Sequence, residues 1–194
     1  AYDDPRATIV IDDGINFVQK TDERFDVIIS DSTDPLGPGE ALFTESFYAA
    51  CKRCLTPGGI LVTQNGVPFH QLDEIRQTGR HLQALFKDWH FYMAAVPTYI
   101  GGAMTFAWAT DDPGHRRAEL AALRERYRKS GIETRYWTPA LHPASFALPG
   151  DDKLTCPQIY AEAQARGAEF DGEVAPAALL GAEGHAGAEN LDKG

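Results

Sequence analysis

Apolar positions along this chain come in short unbroken runs separated by Gly, Pro and Asp clusters. Residues 7–11 (ATIVI), 25–30 (FDVIIS) and 60–64 (ILVTQ) are runs of this kind. Continuous apolar stretches of strand length suit a parallel sheet covered on both faces. Between them the pattern turns helical: a short helix over 15–20, one over 43–55 halted by Thr56-Pro57-Gly58-Gly59, a long one over 70–86, and an amphipathic one over 115–129. Residues 90–97 and 103–110 read as strands joined around Ile100-Gly101-Gly102, an antiparallel hairpin. The stretch 31–41 is a Pro/Gly-rich loop. Strands alternating with helices predict an α/β fold, a doubly wound and mostly parallel sheet that the hairpin closes.

From about Gly150 the composition changes. Residues 150–194 form an acidic, Ala/Gly-rich tail with nine acidic and three basic residues, expected to be disordered or loosely attached apart from a possible short helix near 157–166. That leaves 1–149 as the folded domain. Over the whole chain of 194 residues, 18 basic side chains face 28 acidic ones, a net charge of -10. Such a balance argues against nucleic acid or an anionic membrane as partner, since both require a cationic face. No apolar run approaches the roughly 20 residues that span a bilayer. The cysteines are Cys51, Cys54 and Cys156. The C-x-x-C pair has no second ligand pair for zinc, so it reads as two reduced thiols one helical turn apart, which suits a cytoplasmic protein.

The strongest chemical signal is Asp31-Ser32-Thr33-Asp34-Pro35-Leu36-Gly37-Pro38, directly after the run 25–30. Ligands of open α/β sheets bind at the carboxyl ends of the strands. Two carboxylates three residues apart on a Pro-pinned loop can both face one crevice there. An Asx turn capping backbone donors is the plainer reading of D-x-x-D-P alone. Asp13-Gly14 lies at the end of another run, where an acidic helix N-cap is again the plainer reading. Thr63-Gln64-Asn65-Gly66 and Val96-Pro97-Thr98-Tyr99 also fall at strand ends, with an ordinary strand-end polar residue and a core aromatic as their plainer readings.

The string DSTDPLGP followed by GEALFTESFY resembles the signature of the polyamine synthase family, and IDDG, TQNGVPF and PTYIGGAMTFAWAT extend the likeness to bacterial spermidine synthases over about residues 1–149. The resemblance implies a Rossmann-like class I S-adenosylmethionine-dependent fold. It implies transfer of an aminopropyl group from decarboxylated S-adenosylmethionine to putrescine, with no metal or further cofactor. Asp31 would accept the proton of the attacking amine, and Asp34, with Ser32 and Thr33 beside it, would help hold the diamine. Gln64 and Tyr99 would line the diamine channel, Asp13 and Gly14 would meet the adenine, and Pro38 would belong to a gate over the thioether end of the donor. Burial beside Asp34 would raise the affinity of Asp31 for a proton. The segment Arg135–Pro149, with His142, would pack rather than react. Homodimerisation is implied for the full-length enzyme.

A full family member also has an N-terminal β-hairpin domain, a strand ending in a Gly-rich loop, and a strand ending in an acidic residue for the ribose hydroxyls. None of these has a counterpart here, and the chain opens at Ala1 in loop-like sequence. The expectation is a fragment whose sheet carries a gap between 7–11 and 25–30, or re-pairs across it, and which is unstable or inactive alone. Two other functions remain open: a methyltransferase on the same sheet, which would not need the carboxylate pair, and an inactive truncated binding module. Spermidine formation by the 194-residue chain at rates near those of a full-length enzyme would contradict the fragment reading.

Overall fold

A computed structural model of the chain describes residues 3–148, apart from Leu36 and Phe69. The acidic tail expected beyond Gly150 lies outside the described residues. Among the described residues four strands form one sheet: β1 (Phe25–Ser30), β2 (Leu55–Gln64), β3 (Asp88–Ala95) and β4 (Ala103–Thr110), in the order β1-β2-β4-β3. β1 runs parallel to β2, while β2 with β4 and β3 with β4 are antiparallel. The α/β class holds, but over the described residues the sheet is mixed rather than mostly parallel. β3 and β4 are the expected hairpin. Gly101 and Gly102 make its turn possible, since both take a positive φ, 80° and 71°.

The helices are α1 (Gly14–Lys20), α2 (Glu45–Arg53), α3 (Leu72–Leu85), α4 (Leu120–Ser130) and α5 (Leu141–Ser145). α2 begins later than its apolar pattern suggests because Thr44 caps it, accepting from the Phe47 N–H at 3.3 Å. The preceding stretch Gly37–Phe43, of which 37–41 was expected to be loop, winds into a 3-10 segment. Period-two alternation divides the hairpin. Trp89, Phe91, Ala107 and Ala109 enter the buried core with Tyr48, Cys51, Leu61, Ile75 and Leu82. Tyr92 and Trp108 point to the other face, where both rings meet Phe146. Tyr136 anchors the same C-terminal segment, its hydroxyl accepting from the Ala95 N–H at 3.0 Å. The packing role expected for Arg135–Pro149 therefore holds over its described part. Cys51 and Cys54 are both buried and free, at the end of α2.

The strand expected at 7–11 is absent. Ile9, Val10 and Ile11 are extended loop, exposed at 56%, 59% and 98%. A strand needs a partner for its backbone groups, and none of β1–β4 lies beside this run. β1 is correspondingly an edge strand, and its Val27 and Ile29 are 50% and 71% exposed. The gap expected in the sheet thus falls on the outer side of β1, without re-pairing.

An apolar edge is a template for association between chains. Val27→Lys should lower concentration-dependent light scattering while changing unfolding free energy by no more than about 0.5 kcal/mol, as for an ordinary surface substitution. Unchanged scattering would place the association elsewhere.

Candidate functional site

The site is built where β1 and β2 end together. Ser30 is in register with Thr63, so the next residues, Asp31 and Gln64, emerge side by side at the carboxyl ends of two parallel strands. The hairpin turn supplies the third wall. Val96 donates its N–H to the Gly102 carbonyl and Tyr99 donates its N–H to the Val96 carbonyl, which sets Tyr99 over the same end of the sheet. These elements enclose a cavity of about 400 Å³ lined by Ile29, Ser30, Asp31, Gln64, Val96, Tyr99, Met104 and Phe106. One carboxylate, one amide and one phenol ring stand among apolar walls. That arrangement suits a short aliphatic chain with a cationic end.

A second cavity of about 410 Å³ opens on the other side of β1. Its walls are Gly14, Phe17 and Val18 of α1, Phe25 and Val27 to Asp31, Leu42, and Phe47 and Cys51 of α2. The two cavities share Ile29, Ser30 and Asp31. Asp31 is therefore the charged side chain at their junction. It is exposed rather than buried, so the burial expected to tune it is not present.

Asp13 performs the helix-capping role that its position alone suggests. Its Oδ1 accepts from the N–H groups of Ile15 and Asn16, at 2.8 and 3.2 Å. Both bonds use the same oxygen, so Oδ2 accepts none among the described residues. Gly14 lines the second cavity directly, and adding a Cβ there would meet nothing within 4 Å.

Ser32, Thr33, Asp34 and Pro38 line neither cavity. They build the rim. Gly39 is buried against the acidic loop: a Cβ on it would stand 2.7 Å from the Thr33 hydroxyl oxygen and 2.8 Å from the Asp34 carbonyl oxygen. The 3-10 segment carrying Pro38 is thus seated on the Asp31–Asp34 loop through a contact that only glycine permits.

Below the rim lies a polar layer that the sequence did not single out. Glu74, in the first turn of α3, is half-buried, and its carboxyl is pushed up to about 7, first by loss of water and then by the Asp34 carboxylate. Gln71 contacts the Glu74 carboxylate at 3.5 Å and accepts the Val67 N–H at 2.7 Å, tying α3 to the loop after Gln64. Tyr48, fully buried, shares a 3.4 Å hydrogen bond with Thr78, and burial pushes its phenol up to about 12. Burial, with Cys54 beside it, also raises the Cys51 thiol to about 12, which makes Cys51 an uncharged wall of the second cavity. Sequence reading found the polar anchors of the site because they sit in compact motifs. It missed Glu74, Leu42, Met104 and Phe106, which belong to helix or strand patterns explained equally well by packing. The alternation along β4, which sends Met104 and Phe106 to one face, was the available signal for those two.

Comparison with known proteins places this geometry in context. The spermine/spermidine synthase domain matches residues 1–118. Polyamine aminopropyltransferase 1 of Pseudomonas aeruginosa is 65% identical over 149 residues, 77% of this chain and 52% of the relative. The polyamine aminopropyltransferase of Serratia proteamaculans is 60% identical over the same shares. The chain thus spans about half the length of the curated relatives it matches. Among solved structures, a spermidine synthase in complex with the transition state analogue AdoDATO superposes with a TM-score of 0.71 at 35% identity, over 79% of this chain and 52% of that one. Spermidine synthase from Thermotoga maritima superposes at 0.65 with 31% identity, over 79% and 50%.

Gly39→Ala should destabilise the fold by about 1–3 kcal/mol, the range for overpacking, and should raise amide exchange at residues 31–34. Unchanged exchange would show that the rim does not depend on this contact. Glu74 gives a pH signature of its own. Its carboxyl holds a proton more tightly folded, at about 7, than at its ordinary 4.5. Its contribution to stability is therefore full below pH 4.5 and declines as pH rises toward 7. Denaturant unfolding of Glu74→Gln should lose that decline; a parallel pH dependence in both proteins would contradict the assignment.

Proposed function

Because the chain belongs to the spermine/spermidine synthase family, we propose that it carries the acceptor and adenine sides of an aminopropyltransferase that converts putrescine and decarboxylated S-adenosylmethionine to spermidine and methylthioadenosine. The observation that carries this reading is the meeting of the two cavities at Asp31. The first takes the diamine: Tyr99 and Phe106 pack its carbons, and Gln64 bonds an amine without adding charge. The second takes the nucleoside of the donor. The purine lies on Gly14 among Phe17, Leu42 and Phe47, with Asp13 Oδ2 as acceptor for its exocyclic amine.

An ammonium is not a nucleophile, so one end of the diamine must first lose a proton. The Asp31 carboxylate draws in the cation and accepts that proton as the amine attacks the methylene next to the sulfonium. A new C–N bond forms and the C–S bond breaks. The bonding pair stays on sulfur, leaving a neutral thioether. An ordinary carboxylate is a weak base near neutral pH, so much of the acceleration comes from holding amine and carbon in line across the Asp31 junction. Asp34, Ser32, Thr33 and Pro38 act from the rim, where the 3-10 segment excludes water over the donor. The chemistry calls for no metal and no resident cofactor. The family resemblance extends the proposal to a cytoplasmic homodimer at full length.

The test is a fusion in which the N-terminal half of the Pseudomonas aeruginosa relative precedes Ala1. Supplied with decarboxylated S-adenosylmethionine, S-adenosylmethionine and putrescine, it should release spermidine and methylthioadenosine in equal amounts. Asp31→Asn should lower turnover by about 10²–10⁴, as for loss of a general base, and should keep methylthioadenosine binding. Methyl transfer from S-adenosylmethionine without methylthioadenosine release would overturn the proposal in favour of a methyltransferase. Ligand binding without turnover would favour a binding module.

A further inference from the structure

A third cavity, of about 610 Å³, lies at the end of the sheet remote from Asp31. β1, β2 and β3 start there and β4 finishes there, because β4 alone runs the other way. Arg24 precedes β1, Lys52 stands in the last turn of α2, Lys87 precedes β3 and Asp111 follows β4, and all four line the cavity. The β1–β2 ladder passes from Phe25–Leu55 to Val27–Ile60, so residues 56–59 bulge out of it and form a wall. Leu55, Pro57 and the buried Phe86 give the cavity an apolar side.

Three cations thus surround one carboxylate, in a chain whose net charge is -10. The acceptors at hand are already engaged. Lys52 holds the Asp111 carboxylate at 2.9 Å and donates to the Leu85 carbonyl, with its ammonium 4.9 Å from the centre of the Phe86 ring. The Lys87 N–H donates to the same carboxylate at 3.1 Å. The Gly58 carbonyl is met by the Thr110 hydroxyl at 3.3 Å and by the His115 ring at 3.0 Å. Two cations are left over. Among the described residues the Lys87 ammonium makes no ion pair, and Arg24 makes only the bonds from one Nη to the Asp22 and Glu23 carbonyls, at 2.9 and 3.0 Å. Those two bonds steady the guanidinium without neutralising it.

Two uncommitted cations beside an apolar wall suit a dianion on an apolar body. A phosphate monoester carries close to two charges at neutral pH, and the guanidinium fork matches its oxygens. We propose that this cavity binds a phosphate monoester, its dianion between Arg24 and Lys87 and its body against Leu55, Pro57 and Phe86. Asp111 does not oppose the ligand, because Lys52 balances its charge. Such a ligand bridges the starts of β1 and β3, the two edge strands of the described sheet. The site is separate from the diamine cavity, which lies at the other end of β2, and does not depend on that reading.

The experiment is an amide NMR titration of the 194-residue chain with phenyl phosphate at constant ionic strength. Phenol serves as the body without the charge, and inorganic phosphate as the charge without the body. Phenyl phosphate should shift the amides of Gly58, Gly59 and Lys87 saturably. It should bind roughly tenfold more tightly than inorganic phosphate, from burial of the ring, and phenol should leave these amides in place. Arg24→Gln and Lys87→Gln, both at exposed positions, should each weaken binding about three- to tenfold, as for loss of one charge-assisted contact. Arg126→Gln, an exposed cation on α4 outside the cavity, should leave binding unchanged. An equal loss in all three variants would mean attraction to overall charge and would overturn the site. No saturable shift at Gly58, Gly59 and Lys87, or shifts confined to the neighbours of Gly14 and Asp31, would overturn it as well. Inorganic phosphate binding as tightly as phenyl phosphate would overturn the assignment of a monoester.

Discussion

The register of β1 on β2 is the constraint from which the rest of the site follows. In a parallel pair the two carboxyl ends lie at one edge, so residues that leave the strands there become neighbours without any contact between their side chains. Ser30 opposite Thr63 fixes that register, and Asp31 and Gln64 follow. A slip of one residue would turn each inward side chain of β1 to the opposite face and carry Asp31 out of the shared wall. The hairpin depends on the same pairing. β4 lies against β2, with Gln64 opposite Phe106, and that registration carries the turn with Tyr99 to the cavity.

Burial protects this register from one side only. α2 and α3 press Tyr48, Cys51, Ile75 and Leu82 onto Leu61, Trp89, Phe91 and the two alanines of β4. β1 lies at the edge, with Val27 and Ile29 half or more exposed. The element that delivers Asp31 is therefore held by β2 on one side and, among the described residues, has no strand on the other. The polar layer of Glu74, Gln71, Tyr48 and Thr78 adds a second tie, from α3 to the loop that follows β2 and to α2. Stability near the site is thus linked to charge: the fold is firmest where Glu74 keeps its proton.

Much of this was legible in the residues. The runs 25–30 and 60–64, the helices and the hairpin appear close to where the hydrophobic pattern puts them. Asp31, Gln64 and Tyr99 do gather in one cavity, because strand ends and turns carry their positions in local sequence. What escaped was non-local. The run 7–11 has every local mark of a strand, yet a strand forms only against a partner, and no described strand lies beside it. Ser32, Thr33, Asp34 and Pro38 belong to the right loop but stand on its rim, because Gly39 seats the 3-10 segment against them. Glu74 sits on an amphipathic helix whose pattern gives no hint that one carboxylate of its first turn is half-buried.

The account turns on a single junction, and its most direct test is a crystal structure of the chain with methylthioadenosine and putrescine bound together. It predicts the purine over Gly14, the diamine between Tyr99 and Gln64, and one amine within hydrogen-bond reach of the Asp31 carboxylate, facing the thioether sulfur. Ligands bound with Asp31 touching neither, or a diamine seated outside the Asp31–Gln64–Tyr99 cavity, would contradict it.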